Sequence, residues 1–596
     1  MGNQTEESLL DDLDEETRDP SKVQEEVLCR ILRDNLHTEY LRRCGLTAAA
    51  KSAFKERIPI VKYEDMKPDI DRIANGDSSP ILFFERVAKF LISSGTSTGE
   101  HKLYPKPAGH PERSQRLRNI TSAVFYKHFP DLKKGKRLNF LYAREQGITP
   151  CGLNTQTAIT SLIQRSTSRN DFSNLTMSLP EVLLCTDSFQ STYCQLLCGL
   201  MQSPEVVNVG SFFASTFVRI IRSIEDYWAD LCEDLESGQL NGKITNLSVR
   251  KAMARVLRPN PELASRVRVA CWKTSWQGIV KRLWPNTRVI QTVVTGSMQQ
   301  YIPTIDYYSD GIQIVSMVYA SSETYLGFNL NPICSPWEIT YMLAPSAAYF
   351  EFLPIDRSSE FGEQLTSDLC IDSQAVVDLT DVQVGKEYEL LVTTDTGLYR
   401  YRMGDILKVA GYYNASPTFF FVCRQNVLLS IDSDKTDEKD LQNAITTAAS
   451  SSRKIVRDYS SYADLESKPP HYVIFWELAE DTPIEAHELK ECCYVMEESL
   501  ASTYRRGRRE NAIGPLEIRL VKKGSFEKLM DCCVAGGANV GQVKVPRCLK
   551  RPSSLLQAME EGVYQIAFSA RLPSYSPTIL LSPPTTAIAI ATENKN

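Results

Sequence analysis

The chain has 596 residues, too many for one hydrophobic core, so two or more domains are expected. A composition of 42% hydrophobic, 23% charged and 9% aromatic residues is that of a water-soluble globular protein. The net charge of -6 gives no general attraction to nucleic acid or to acidic membrane surfaces.

From the N-terminus, the first 20 residues are expected to be an acidic, flexible lead-in. Glu6 stands where a myristoylation signal takes Ser or Thr, and the acids from Glu6 to Glu16 are unlike a signal or transit peptide. Residues Ser21 to Phe54 read as helical, with Val23, Val27, Ile31, Leu36 and Leu41 in period and a break at Gly45. Ala254 to Leu283 also reads as mainly helical, with Trp272, Trp276 and Trp284 expected in the core. Short apolar runs then predict strands at Val289 to Val294, Ile312 to Tyr319, Leu326 to Leu330, Tyr349 to Pro354, Glu387 to Thr393 and Leu398 to Val409. A turn is expected at Gly404-Asp405.

The pattern changes near Arg424. Val427 to Ile431 reads as a short strand, and Thr436 followed by acids starts a helix through Leu441, Ala444 and Ala448. A strand at His471 to Trp476, a helix from Ala486 to Tyr504, a strand at Gly514 to Val521 and a helix at Ser525 to Ala535 complete a second unit. The fold class is α/β: a large N-terminal domain over 21–425 with mixed sheets and helices, and a smaller α+β domain over 426–576. Residues 577–596 are expected to be disordered from their composition. Their apolar stretch is broken by Pro577, Pro583 and Pro584, so no run reaches the ~20 residues of a spanning helix. The sixteen cysteines show no Cys-x-x-Cys and include the adjacent pairs Cys492-Cys493 and Cys532-Cys533, so reduced thiols in a cytoplasmic protein are expected.

Four segments carry chemistry. Ser93-Ser94-Gly95-Thr96-Ser97-Thr98-Gly99-Glu100-His101-Lys102 is a glycine-punctuated, hydroxyl-rich loop ending on lysine, suited to a polyphosphate. It is not a Walker A loop, because only three residues separate Gly95 from Gly99. Tyr319-Ala320-Ser321-Ser322-Glu323-Thr324 follows a strand's carboxyl end, where a ligand crevice forms; Glu323 suits a magnesium-bound water or a proton transfer. In Tyr399-Arg400-Tyr401-Arg402-Met403-Gly404-Asp405, alternation puts both arginines on one face, and Asp405 is a double acceptor for ribose hydroxyls. Gln542-Val543-Lys544-Val545-Pro546-Arg547 offers a lysine on a glycine-flanked segment. Each segment alone is equally readable as an ordinary turn, a salt-bridged strand or a surface lysine.

In this order, and with Val294 to Met298, Ala348 to Pro354, Asn426 to Ser430 and Ser433 to Glu438, these segments resemble the plant Gretchen Hagen family of acyl-acid amido synthetases, and within it the auxin-conjugating branch. The resemblance implies an adenylation domain with a mobile C-terminal lid. It implies ATP and Mg2+, an acyl-adenylate, and amide formation with an amino acid on a hormone acid such as indole-3-acetic acid. Ser93, Ser94, Thr295, Tyr319, Ala320, Ser321, Ser322, Glu323, Thr324, Tyr341 and Asp405 are then expected around the nucleotide, with Glu323 and Lys544 catalytic. Arg113 is expected to pair with the acid's carboxylate. No direct metal ligand is assigned, and a monomer without nucleic-acid or membrane partners is expected.

Several positions depart from the family pattern. Gln425 and Val543 replace a usual lysine and tyrosine, and residues from His110 to Arg169, including Arg118 and Thr121, match poorly. Jasmonate or a benzoate as the acid therefore stays open, as does a weakly catalytic relative that binds nucleotide or hormone.

Overall fold

The computed structural model describes residues 5–97, 100–168, 176–272, 275–355, 376–424, 428–432, 434–436, 438–479, 484–535, 546–549 and 553–574. Two bodies of apolar side chains organise it. The larger runs from Val27 to Phe419 and takes in Phe54, Tyr104, Trp284 and Tyr349; the smaller joins Leu429 to Ala567 around Tyr472, Trp476, Cys493 and Tyr504.

Residues Glu6–Arg18 form a helix, capped by the Thr5 side chain on the Ser8 amide, in place of the flexible lead-in expected. Leu9 and Leu13 recur on its inner face and are buried against the His110–His128 helix with Ile120 and Val124, so an apolar stripe outweighs the acidic composition. The next helices are Pro20–Asn35, Glu39–Arg43 and Lys51–Arg57.

Three sheets build the large unit. In the first, Val87–Ser97 and Glu100–Pro107 pair as an antiparallel hairpin, with Leu91 opposite Tyr104 and Ile92 opposite Leu103. Of the polyphosphate loop read from sequence, residues 93–97 and 100–102 belong to these two strands. A parallel sheet follows in the order Lys136–Phe140, Val206–Phe213, Val289–Val293 and Gln313–Val315. The third is an eight-stranded sheet whose centre pairs Glu387–Thr393, Tyr401–Tyr413 and Ser416–Arg424 antiparallel.

Some expectations fail for local reasons. Ala254 to Leu283 divides into the end of Leu247–Val256, then Pro261–Cys271 and Ile279–Leu283, because Pro259 and Pro261 interrupt the run. Trp284 is fully buried, but Trp272 is 75% exposed, its ring edge-on to Trp228 at 5.8 Å. Ile312 to Tyr319 is two strands, Gln313–Val315 and Val318–Ala320, that belong to different sheets.

The smaller unit stacks helices Glu438–Ser451 and Ala486–Ser499 on a sheet ordered Val456–Asp464, His471–Leu478, Glu517–Val521 and Val563–Phe568. The expected Ala486 to Tyr504 helix stops at Ser499, and Ser502–Arg509 starts another. The strand expected at Val427 to Ile431 reduces, among the described residues, to a single bridge between Leu429 and Thr436. Asp434 causes this: its carboxylate accepts the Ile431 and Asp432 amides at 3.0 and 2.6 Å and folds the chain back. The tail from 577 onward lies outside the described residues.

Candidate active site

The first hairpin, the Ser321 to Thr324 turn and the central strands of the large sheet converge on one pair of carboxylates. Glu323 follows the Val318–Ala320 strand in a turn closed by Ser321 N donating to Thr324 O at 2.9 Å. Its side chain is 2% exposed. Burial raises the carboxyl, but the Arg424 charge and the Tyr104 hydrogen bond bring it below its ordinary range. Tyr104 Oη donates to Glu323 Oε1 at 2.8 Å and lies 3.0 Å from Tyr401 Oη. Burial, then the Glu323 charge, hold the Tyr104 phenol well above its ordinary range, so it serves as a donor.

Asp405 is the second carboxylate. It lies within the Tyr401–Tyr413 strand, directly opposite Arg424, and the expected turn is instead a bulge. Gly404 takes φ +72°, which lets the strand keep its course past the register shift. Tyr319 Oη donates to Asp405 Oδ2 at 2.7 Å, while Asp405 Oδ1 is buried and, among the described residues, without a hydrogen bond. Arg424 bridges the two acids, with Nη2 3.9 Å from Glu323 Oε1 and Nε 3.6 Å from Asp405 Oδ1. Burial opposes its charge, and both carboxylates more than offset that.

Aromatic rings line the flank. Tyr319 faces Tyr341 at 5.7 Å and Phe421 at 5.7 Å. Tyr341 Oη lies 2.7 Å from Ser316 Oγ and 3.2 Å from Thr295 Oγ1, which brings Thr295, Tyr319 and Tyr341 together. Gly296, at φ +63°, lies against Phe421, whose ring would stand 2.8 Å from any Cβ there.

Ser322 Oγ donates to Ile92 O at 3.3 Å, which joins the acidic turn to the strand carrying Ser93. Ser93 is partly buried in that strand, and Ala320 ends its own strand exposed. Thr324 is buried beneath the turn, its amide 3.4 Å from Ser321 Oγ. The side chains of Ser94 and Arg113, and residues Gln425, Val543 and Lys544, lie outside the described residues. Lys102, the charge at the end of the loop, rests 3.8 Å from Glu64 and 5.0 Å from the Tyr63 ring centre.

Arg400 and Arg402 do not share a strand face. Arg400 precedes the strand at φ +47° and pairs with Glu351 at 3.0 Å, both side chains 1% exposed. Arg402 pairs with Glu389 at 2.6 Å. Each cation holds a buried carboxylate of another strand of the same sheet, Glu389 one strand away and Glu351 two.

Three residues were not found from sequence. Tyr104 and Arg424 are recognisable only through pairing across sheets. Lys435, on the Asp434 loop, lies in the field of Arg424, Asp405, Glu323 and Lys102, and burial followed by Arg424 brings its ammonium down to about 7. That loop is docked on the large unit by Tyr301 Oη donating to Ile431 O at 2.7 Å. Nearby in the poorly matching segment, Thr121 Oγ1 is 2.6 Å from Tyr325 Oη, and Arg118 donates to Gln115 at 3.1 Å.

Two buried acids around a cation, an acceptor whose hydrogen bond is unmade among the described residues, and a flat aromatic flank suit a group with hydroxyls and a ring system. Among the described residues, no group of three or more His, Cys, Asp or Glu gathers as a metal site.

The sequence matches the models of the GH3 family N-terminal domain over residues 9–314, the GH3 family central domain over 341–424 and the GH3 family C-terminal domain over 439–553. The chain therefore belongs to the GH3 family. It is similar to the indole-3-acetic acid-amido synthetase GH3.6 of Arabidopsis thaliana, 45% identical over 579 residues, covering 95% of this chain and 94% of that one. The indole-3-acetic acid-amido synthetase GH3.8 of Oryza sativa subsp. indica is also 45% identical, over 578 residues, with 95% and 94% coverage. Among solved structures, the GH3.15 acyl acid amido synthetase superposes with a TM-score of 0.67 at 39% identity, covering 97% of this chain and 100% of that one. AtGH3.15 in complex with 2,4-DB gives the same TM-score at 38% identity, with 96% and 99% coverage.

Proposed function

We propose that this chain joins an amino acid to a plant hormone carboxylic acid, indole-3-acetic acid foremost, as an ATP-dependent acid–amino acid ligase. The observation that carries the reading is the Glu323–Arg424–Asp405 cluster, with Tyr104 and Tyr319 as its donors, in a chain 45% identical to amido synthetases over most of its length.

In this reading Asp405 Oδ1, a buried acceptor without a hydrogen bond among the described residues, receives a ribose hydroxyl, and the Tyr319 and Tyr341 rings flank the base. Ser93, Ser94, Thr295, Ala320, Ser321, Ser322 and Thr324 complete the nucleotide site. Mg2+ accompanies the triphosphate. Arg113 meets the acid's carboxylate, and Lys544 comes onto it during adenylation. A carboxylate is a poor acylating agent and AMP a good leaving group, so adenylation prepares the acid for the amine. Glu323, held ionised, takes a proton from that amine. Lys435 reaches the same site from the smaller unit, and closure of that unit excludes water. The protein acts as a cytoplasmic monomer.

Jasmonate, a benzoate or another acid remains the second choice, favoured by the 2,4-DB complex of AtGH3.15 and by Arg118 and Thr121. Pyrophosphate release with ATP and Mg2+ across indole-3-acetate, jasmonate, salicylate and benzoates tests both. Release that depends on one acid supports adenylation and names the substrate. None with any acid, despite ATP binding, would leave a binding protein, with Gln425 and Val543 the first positions to revert to lysine and tyrosine.

A further inference from the structure

Lys106 is a cation with no exposed surface, and burial outweighs the favourable charges of Asp395 and Glu323 on its ammonium. Its ammonium donates to the main-chain carbonyl of Glu323 and, at 3.5 Å, to Thr396 Oγ1. A charge kept in such a place costs stability, so a core residue chosen for packing alone would be apolar. The expense falls at a telling position. Lys106 and Tyr104 are two residues apart on one strand of the first hairpin, on the same face, and both reach Glu323. Tyr104 takes its carboxylate and Lys106 its backbone. From the facing strand, Ile92 O accepts Ser322 Oγ, one residue before Ser93.

We infer that Lys106 is a positioning residue that locks the Ser321 to Thr324 turn onto the hairpin bearing the polyphosphate loop, so that nucleotide held by that loop and the Glu323 carboxylate keep one fixed separation. Without the Lys106 bond the turn is tied to the hairpin, among the described residues, by the Ser322 and Tyr104 hydrogen bonds, and the Glu323 carbonyl loses its buried donor. An acid displaced by a fraction of an ångström still permits nucleotide binding but spoils proton transfer and in-line geometry. The inference rests on the ligase reading and assigns a role within it.

The test compares Lys106→Met, which keeps the length and removes the donor, with Lys106→Gln, a neutral donor of similar reach. Both are assayed for acid-dependent pyrophosphate release and amide formation, with denaturation followed in parallel. The expected result for Lys106→Met is a kcat about tenfold or more lower with the KM for ATP within about threefold of wild type. Lys106→Gln recovers most of that kcat, since the carbonyl needs a donor and not a charge. A Lys106→Met enzyme with wild-type kcat overturns the inference. So does a loss shared equally by Lys106→Gln, or a variant that no longer folds, because either makes Lys106 a plain structural residue. Wild-type protein that releases no pyrophosphate with any acid sinks the ligase reading instead, a result read before any variant is made.

Discussion

Tyr104 and Glu323, 219 positions apart in the chain, meet through a 2.8 Å hydrogen bond in which the phenol donates. That bond and the Arg424 charge hold Glu323 ionised against its burial. Tyr104→Phe removes the donor and leaves the ring, so the Glu323 carboxyl must rise. The acid-side limb of the kcat–pH profile is expected to move to higher pH, by up to about one unit. An unmoved limb would show that Glu323 is not the group being titrated in turnover.

Asp405→Asn keeps the acceptor toward Tyr319 but removes the charge opposite Arg424. A neutral amide binds a ribose hydroxyl less well than a carboxylate does, and the Arg424 cation is left with Glu323 alone. The KM for ATP is expected to rise about tenfold while the KM for the acid stays near wild type. Initial rates at varied ATP and varied acid separate the two. Equal effects on both would remove Asp405 from the nucleotide site.

The Arg400–Glu351 pair is a purely structural target, with both side chains 1% exposed. Arg400→Met leaves a buried carboxylate unpaired and is expected to cost about 3–5 kcal/mol in chemical denaturation. Burial already raises Glu351, with Arg400 opposing, so loss of the arginine raises it further. A folded form that holds its proton more tightly than the unfolded chain loses stability as pH rises. The defect should therefore be larger at pH 8 than at pH 5, and Arg400→Met with Glu351→Met should restore most of it.

Lys106 titrates in the opposite sense. Burial brings its ammonium from 10.5 down to about 8. Below about 8 both forms of the chain are protonated there and the burial cost is felt in full. Between about 8 and 10.5 the unfolded chain holds the proton and the folded one does not, so stability rises with pH. The wild-type protein should gain on Lys106→Met across that window, by roughly 3 kcal/mol at its upper end. At pH 7, below that window, wild type has no such advantage. Parallel curves for the two proteins would place the lysine in contact with water.

Much of this was readable from local pattern. The Ser525 to Ala535 helix and the Glu387 to Thr393 strand fall where periodicity put them, and Tyr319, Thr295, Tyr341 and Asp405, singled out from their motifs, lie close together. What escaped reading depends on partners distant in sequence. Nothing near Arg424 announces that strand register sets it opposite Asp405. Tyr104 and Lys106 look like an ordinary alternating strand until the Glu323 turn packs onto them. The helix at Glu6–Arg18 was masked by its acids, because charge content outweighed a spacing of two leucines. Arg400 escaped its alternation because a left-handed residue breaks the strand phase.

The residues that meet at Glu323 are contributed from positions as early as Ile92 and as late as Arg424. During synthesis the centre cannot assemble until residue 424 has left the ribosome and the last strand of the large sheet has paired. A chain that ends before residue 424 lacks the cation between the two acids, and with it the charge that holds Glu323 ionised.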